Sequence, residues 1–247
     1  MTANKQNIQI ATDIATMIRA RIKQVTGLNA SAGISYGKFL AKMASDLNKP
    51  SGQAVITPRM GPEFVANLPV KKFHGVGPAT ATKMQRLGIE TGADLREKPL
   101  TFLQEHFGKS GSWYQRIARG IDDRPVQPNR PRKSVGAEDT FAADIFDLDA
   151  PRAELVPLAE KVWRHCKAKE VSGRTVTLKV KYADFQQITR SRTLPKQIGG
   201  ADEMIAVSQS MLADLFPIEK GIRLVGVTLS SLDARDGVTV PDQLALF

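Results

Sequence analysis

Residues 73–84 read Phe73-His74-Gly75-Val76-Gly77-Pro78-Ala79-Thr80-Ala81-Thr82-Lys83-Met84. A Gly-hydrophobe-Gly turn runs directly into a helix. Glycines let backbone N–H groups approach an anion without a Cβ in the way. The following helix aims its first N–H groups and its dipole at the same spot. Pro78 suits a first helical position, where no N–H is needed. With Lys71, Lys72 and Lys83 close by, the stretch marks Gly75, Val76, Gly77 and Lys83 as a phosphate-binding turn. A plain turn between two helices is the other reading of the same residues.

Working outward, residues 68–127 alternate short helices with glycine turns and show no strand pattern, so they form a small all-helical module. It ends in a linker, Arg124 to Lys133, whose three prolines make it stiff and whose four basic residues face it toward a polyanion. Upstream, Ile10, Ile14, Ile18, Ile22 and Val25 recur at helical spacing over 8–25. A strand is expected over 28–34. A helix over 37–47 should bury Phe39, Leu40, Met43 and Leu47, and a strand follows over 53–56. Downstream, the order strand, helix, strand, strand, helix, strand over 134–232 predicts a βαββαβ domain: one four-stranded sheet covered by two helices. Its first helix is expected over about 153–168, beginning near Pro157, which is awkward inside a helix. The second should carry Ile205, Leu212 and Phe216 on its apolar side. Over 174–182, Val176, Leu178, Val180 and Tyr182 alternate with Thr175, Thr177, Lys179 and Lys181.

The chain has 247 residues and a formal net charge of +10, from 35 Lys and Arg against 25 Asp and Glu. That surplus favours nucleic acid as the partner. Cys166 is the one cysteine, so no intrachain disulfide can form, and the three histidines lack metal-ligand spacing. No apolar run is long enough for a bilayer, and the polar start has no signal-peptide character. A cytoplasmic protein without a membrane partner is expected.

A second stretch, Gly33-Ile34-Ser35-Tyr36-Gly37-Lys38-Phe39-Leu40-Ala41-Lys42-Met43-Ala44-Ser45-Asp46-Leu47-Asn48-Lys49-Pro50, reads physically as strand, helix and basic turn. The glycine turn at 75–77 resembles the helix-hairpin-helix element, which holds the DNA backbone without reading bases. Together the two stretches resemble the Y-family DNA polymerases of the polymerase IV branch. The resemblance extends over nearly the whole chain and implies an α+β multidomain fold: a partial palm (1–67), a thumb (68–127), a basic linker (128–133), a little finger (134–232) and a tail (233–247). It implies that Lys49 contacts the triphosphate of an incoming nucleotide; the residues alone favour a solvated lysine at a helix end, where the dipole suits a cation. Arg132, Lys133 and Ser134 look like the way into the little finger. Arg190 and Arg192 lie on one of its central strands and share one face by period-two spacing, which suits phosphate contact. A basic edge that discourages aggregation is the alternative. The C-terminal Gln243-Leu244-Ala245-Leu246-Phe247 resembles the peptide that docks bacterial polymerases on the sliding clamp, with Gln243, Leu244, Leu246 and Phe247 as contacts. A tail docking back on its own domain is the other reading.

The resemblance also implies Mg²⁺, held by palm carboxylates beside a Tyr-Leu-Asp-Val-Thr segment. No such segment occurs here, and the chain is expected to start just past the last metal ligand. The acidic pairs Asp122-Asp123, Glu138-Asp139 and Asp202-Glu203 are better read as solvated or capping groups. The expectation is therefore a monomeric, truncated translesion polymerase that binds primer–template DNA and the clamp, with no catalytic residue and no cofactor of its own. A stand-alone module that binds damaged DNA and the clamp is the alternative, and a repair protein using the hairpin turn alone is a third.

Overall fold

The structure, a computed structural model, describes residues 7–233 and divides between Val126 and Gln127 into two units.

In the first unit, α1 (Ala11–Thr26) ends at Gly27, whose φ of 72° supplies the left-handed stop. None of its residues is fully buried. Ile14, Ile18 and Ile22 are half-buried, while Ile10 and Val25 are exposed. β1 (Ala32–Ser35) pairs in parallel with β2 (Gln53–Ile56), and α2 (Lys38–Leu47) makes the crossover. The strand expected over 28–34 is thus shorter and later, because only these four residues find a ladder partner. α2 buries Phe39, Leu40, Met43 and Ala44. Leu47, expected among them, is 52% exposed. The cause is the close approach of β1: a Cβ on Gly33 would lie 2.0 Å from the Ala41 carbonyl oxygen and 2.3 Å from the Ser45 nitrogen. The strand runs under the middle of α2, and Leu47 lies beyond that contact.

The unit continues through α3 (Gly61–Ala66), a 3₁₀ turn (Val70–Lys72), α4 (Pro78–Arg86), α5 (Gly92–Glu97), α6 (Leu100–Phe107) and α7 (Ser110–Ile117). Thr91 and Asp94 form a reciprocal capping box at the start of α5. One apolar cluster, from Phe39 and Leu40 through Val70, Met84 and Leu95 to Ile117, joins residues on both sides of Leu68.

The second unit has the βαββαβ order. It consists of β3 (Ser134–Ile145), α8 (Asp149–Ala168), β4 (Ser172–Tyr182), β5 (Gln187–Thr193), α9 (Ala201–Ala213) and β6 (Ile222–Asp233). The four strands lie in the order β3-β6-β4-β5, and every neighbouring pair is antiparallel. Val176, Leu178 and Val180 of β4 and Val225, Val227 and Leu229 of β6 form one buried core with α8 and α9. α8 begins at Asp149, with the Asp147 side chain accepting from the Ala150 N–H at 2.9 Å, and it carries Pro157 in its interior. The expected start near Pro157 is therefore wrong. Pro157 and Ala153 are both exposed, so the carbonyl that loses its helical partner opens toward solvent. In α9 the buried residues are Met204, Ser208, Met211 and Leu212. Ile205 and Phe216 are only half-buried, and the helix ends before Phe216.

Candidate nucleic-acid interface

The glycine turn is built by short-range bonds. Phe73 N donates to the Val70 carbonyl and Val76 N to the Phe73 carbonyl, both at 3.0 Å. Gly75 sits at φ 92°, and a Cβ there would lie 2.9 Å from the Trp113 ring. Both conformation and space require glycine at that position. Gly77 differs: its backbone is extended, and nothing lies within 4 Å of where a Cβ would stand. It caps α4 ahead of Pro78, and the first turn of α4 contains no acid. The Ala79 and Thr80 N–H groups have no i−4 carbonyl within the helix and point the same way. Val76 is buried, so only its backbone can serve a ligand. Lys71 and Lys72 are exposed. Lys83 reaches the other way: it donates to the His106 carbonyl, at the C-terminal end of α6, and lies 5.3 Å from the Phe107 ring centre.

At the C-terminal end of α2, the Asn48-Lys49-Pro50 turn is held by Asn48 Nδ2 donating to the Gln53 carbonyl at 2.8 Å. The Lys49 ammonium lies 2.5 Å from Asp46 Oδ1, and Lys42 lies 2.9 Å from Asp46 Oδ2. Hydrogen bonds from Lys49 and then Lys42 hold the Asp46 carboxyl below the usual carboxylate range. Lys49 remains exposed.

The N-terminal end of α2 is capped from far along the chain. Asp122, with its side chain 3% exposed, accepts from Phe39 N–H at 2.8 Å and from Arg124 at 2.6 Å and 2.8 Å. The Arg124 hydrogen bonds and the Phe39 N–H outweigh burial and hold its carboxyl down to about 2. The Arg124 guanidinium lies 5.8 Å from the Trp113 ring centre. Trp113 meets Phe39 edge-on at 6.3 Å and supports Gly75. Gly37 lets the Asp122 backbone come close, since a Cβ would stand 3.2 Å from the Asp122 carbonyl oxygen. Lys38 also bonds the Pro125 carbonyl. One connected set of contacts therefore ties α2, the glycine turn and the end of this unit. Asp122 is thus a capping residue, but no local signal in the sequence reveals which helix it caps.

In the second unit, Arg132 and Lys133 are exposed ahead of β3, and Ser134 begins that strand. β5 is an edge strand. Arg190 pairs with Leu178 and Arg192 with Val176, so both arginines stand on the helix-covered side, at its open margin. Arg192 approaches Ser210 Oγ at 3.5 Å and Asp214 at 3.9 Å. Arg190 donates to the Thr189 carbonyl at 3.2 Å. The opposite face carries rows of hydroxyls and two lysines: Thr175, Thr177, Lys179 and Lys181 on β4, Ser191 and Thr193 on β5, and Thr228 and Ser230 on β6. Neighbouring strands share hydrogen bonds there, Thr175 to Thr193 at 3.0 Å and Thr177 to Ser191 at 2.8 Å. Lys179 meets Glu138 at 2.5 Å. The alternation along β4 makes half of this face readable in the sequence; the hydroxyls of β5 and β6 join it only through strand pairing.

Among the described residues, no three His, Cys, Asp or Glu side chains are grouped to hold a metal ion. Asp122 bonds Arg124, Asp123 bonds Arg116, and Glu203 accepts from the Gly199 N–H at 2.8 Å. These carboxylates do not fit a two-metal site. Gln243, Leu244, Leu246 and Phe247 lie outside the described residues.

Comparison with known proteins matches three stretches to family models. Residues 1–46 match the impB/mucB/samB family, residues 58–89 the IMS family HHH motif, and residues 132–246 the impB/mucB/samB family C-terminal domain. A protein named DNA polymerase IV 3 from Mesorhizobium japonicum is 66% identical over 247 residues, covering 100% of this chain and 67% of that protein. The chain belongs to the DNA polymerase IV family. DNA polymerase IV 2 of Agrobacterium fabrum is 66% identical over 232 residues, covering 94% of this chain and 65% of its own length. DNA polymerase IV of Gluconobacter oxydans is 52% identical over 238 residues, covering 96% of this chain and 67% of its own. The chain thus spans about two thirds of the length of its DNA polymerase IV relatives. Among solved structures, a Y-family DNA polymerase chimera superposes with a TM-score of 0.69 at 23% identity, over 93% of this chain and 65% of that one. The fold is that of a Y-family polymerase, with a helix-hairpin-helix element and a four-stranded sheet with helices.

Proposed function

We propose that this chain is the DNA-holding part of an error-tolerant, DNA-directed DNA polymerase that copies damaged template. One observation carries the reading: the Gly75–Gly77 turn leaves open space at Gly77 in front of an α4 whose first turn has no acid. A turn of this kind takes a phosphate and is indifferent to the bases. Damage bypass needs such a grip, because contact confined to phosphates does not penalise an altered base. The hydroxyl-and-lysine face of the second unit suits the same partner, with Arg132, Lys133, Ser134 and Arg190 adding contacts beside it. Lys49 would exchange Asp46 for the triphosphate of an incoming nucleotide.

The test is anisotropy of labelled primed duplex against salt. Affinity should fall linearly with log salt and be the same for unrelated sequences. No binding at low ionic strength, or a marked sequence preference, would sink the proposal. Arg190→Ala should reduce the salt slope by about one. Arg192→Ala should reduce it less, since Asp214 already shares that charge.

The family's Mg²⁺ finds no fitting ligand set among the described residues, and no step is assigned to it. These 247 residues alone should hold a primed template and yet not extend it with Mg²⁺ and nucleotides. Templated incorporation, followed on a sequencing gel, would refute this. The lack of a fitting ligand set among the described residues also favours a second reading, a non-catalytic module that binds damaged DNA and the clamp.

The terminal Gln243, Leu244, Leu246 and Phe247 are proposed to seat in a bacterial sliding clamp, the two last side chains filling an apolar pocket. A synthetic peptide of those residues that failed to bind a clamp would remove this partner. No described helix is long and apolar enough to cross a membrane. A monomer working in the cytoplasm completes the proposal, and sedimentation of the purified chain tests its monomeric state.

A further inference from the structure

The turn between β4 and β5 presents an aromatic ring in a backbone conformation that disfavours it. Phe185 has φ 64°, in the left-handed region where glycine or asparagine is the ordinary choice. Its side chain is 65% exposed, so the ring is not there for the core. The turn is nevertheless held firmly. Phe185 N donates to the Tyr182 carbonyl, Tyr182 N to the Gln186 carbonyl and Ala183 N to the Gly221 carbonyl, each at 2.9 Å. Lys220 pairs with Asp184 and bonds Gln186 Oε1 at 3.1 Å. The Arg223 guanidinium lies over the ring, 4.8 Å from its centre, and this cation covers one ring face while the other stays open.

Position and charge decide what the open face takes. The open-face row Thr175, Thr177, Lys179, Lys181 runs along β4 toward this turn, and Lys181 pairs with Gln187 just across it. Among the described residues, neither Arg223 nor Lys181 has an ion-pair partner, whereas Asp184, the acid of the turn, is matched by Lys220. The ring is bordered by Asp184, Gln186 and Arg223, not by the apolar surround that a protein anchor needs. A flat ring backed by a guanidinium, with free cations for flanking phosphates, matches a stacked base.

We infer that Phe185 is a stacking platform for an unpaired nucleobase on a DNA strand leaving the duplex held against the open face. This rests on the phosphate-gripping reading above and adds a single-strand contact to it. Phe185→Gly removes the ring and suits the backbone, which separates function from folding. The parent chain should bind a duplex with a short single-stranded extension more tightly than the same duplex made blunt. Phe185→Gly should lose that gain, about tenfold for one base–aromatic stack. It should keep its blunt-duplex affinity and show an unchanged or raised melting temperature. Phe185→Trp should keep the gain. A gain that survives Phe185→Gly, or an equal fall for blunt and extended duplex, overturns the platform. So does a lowered melting temperature accompanied by general loss of binding. If the parent ignores blunt duplex, the phosphate-gripping reading is what fails. A single-stranded oligonucleotide then tests the ring directly, and equal binding by parent and Phe185→Gly would overturn it.

Discussion

Asp122→Ala will destabilise the first unit by about 2–3 kcal/mol, the range for a hydrogen-bonded charge and a helix cap lost together. The carboxylate caps α2 through Phe39 N–H and holds Arg124 over Trp113, so its removal leaves an N–H and a guanidinium without their partner. Urea unfolding of parent and variant measures the difference; a change under about 0.5 kcal/mol, the size of an ordinary surface substitution, would mean the cap is not needed. Acid sensitivity should change as well. Arg124 and Phe39 hold the Asp122 carboxyl down to about 2, below its ordinary 3.8. Its folded-state value is depressed, so its contribution is complete above about 4 and disappears as pH falls through about 2. The parent should lose stability over that window, and Asp122→Asn, already lacking the charge, should show a flatter profile there.

The two glycines of the hairpin should separate stability from binding. Gly75→Val places a β-branched residue at φ 92° with its Cβ 2.9 Å from the Trp113 ring. A strained backbone and a displaced ring together should cost about 2–3 kcal/mol. The turn should shift off the axis of α4, with DNA affinity falling about tenfold or more. Gly77→Ala has room and an ordinary extended backbone, so its melting temperature should hardly move. If glycine is there to admit a phosphate, its affinity should still fall. Unchanged binding by Gly77→Ala would show that the ligand does not come that close.

What could be read from the sequence was what is local. The glycine turn with its helix, the alternation along β4 and the βαββαβ order each lie within a few residues or a simple period. What escaped depends on partners distant in sequence. Asp122 caps a helix that begins far upstream. The side of the sheet on which Arg190 stands follows from its pairing with Leu178, which spacing cannot reveal. Lys83 turned from the glycine turn to the end of α6 because an unsatisfied carbonyl was available there. Leu47 lost its place in the core to Ala44 because β1 crosses α2 at close range. Pro157 lies inside α8 and not at its start because the bond it forfeits faces solvent, which a proline rule cannot see.

The chain has two tryptophans, and each unit holds one of them: Trp113, packed beneath Gly75 and beside Arg124, and Trp163, on α8. Nature has in effect labelled the halves separately. With Trp163 changed to Phe, the remaining indole emission becomes an optical gauge of the hairpin, reporting occupancy at the turn without an added dye. With Trp113 changed instead, the same instrument follows the other half.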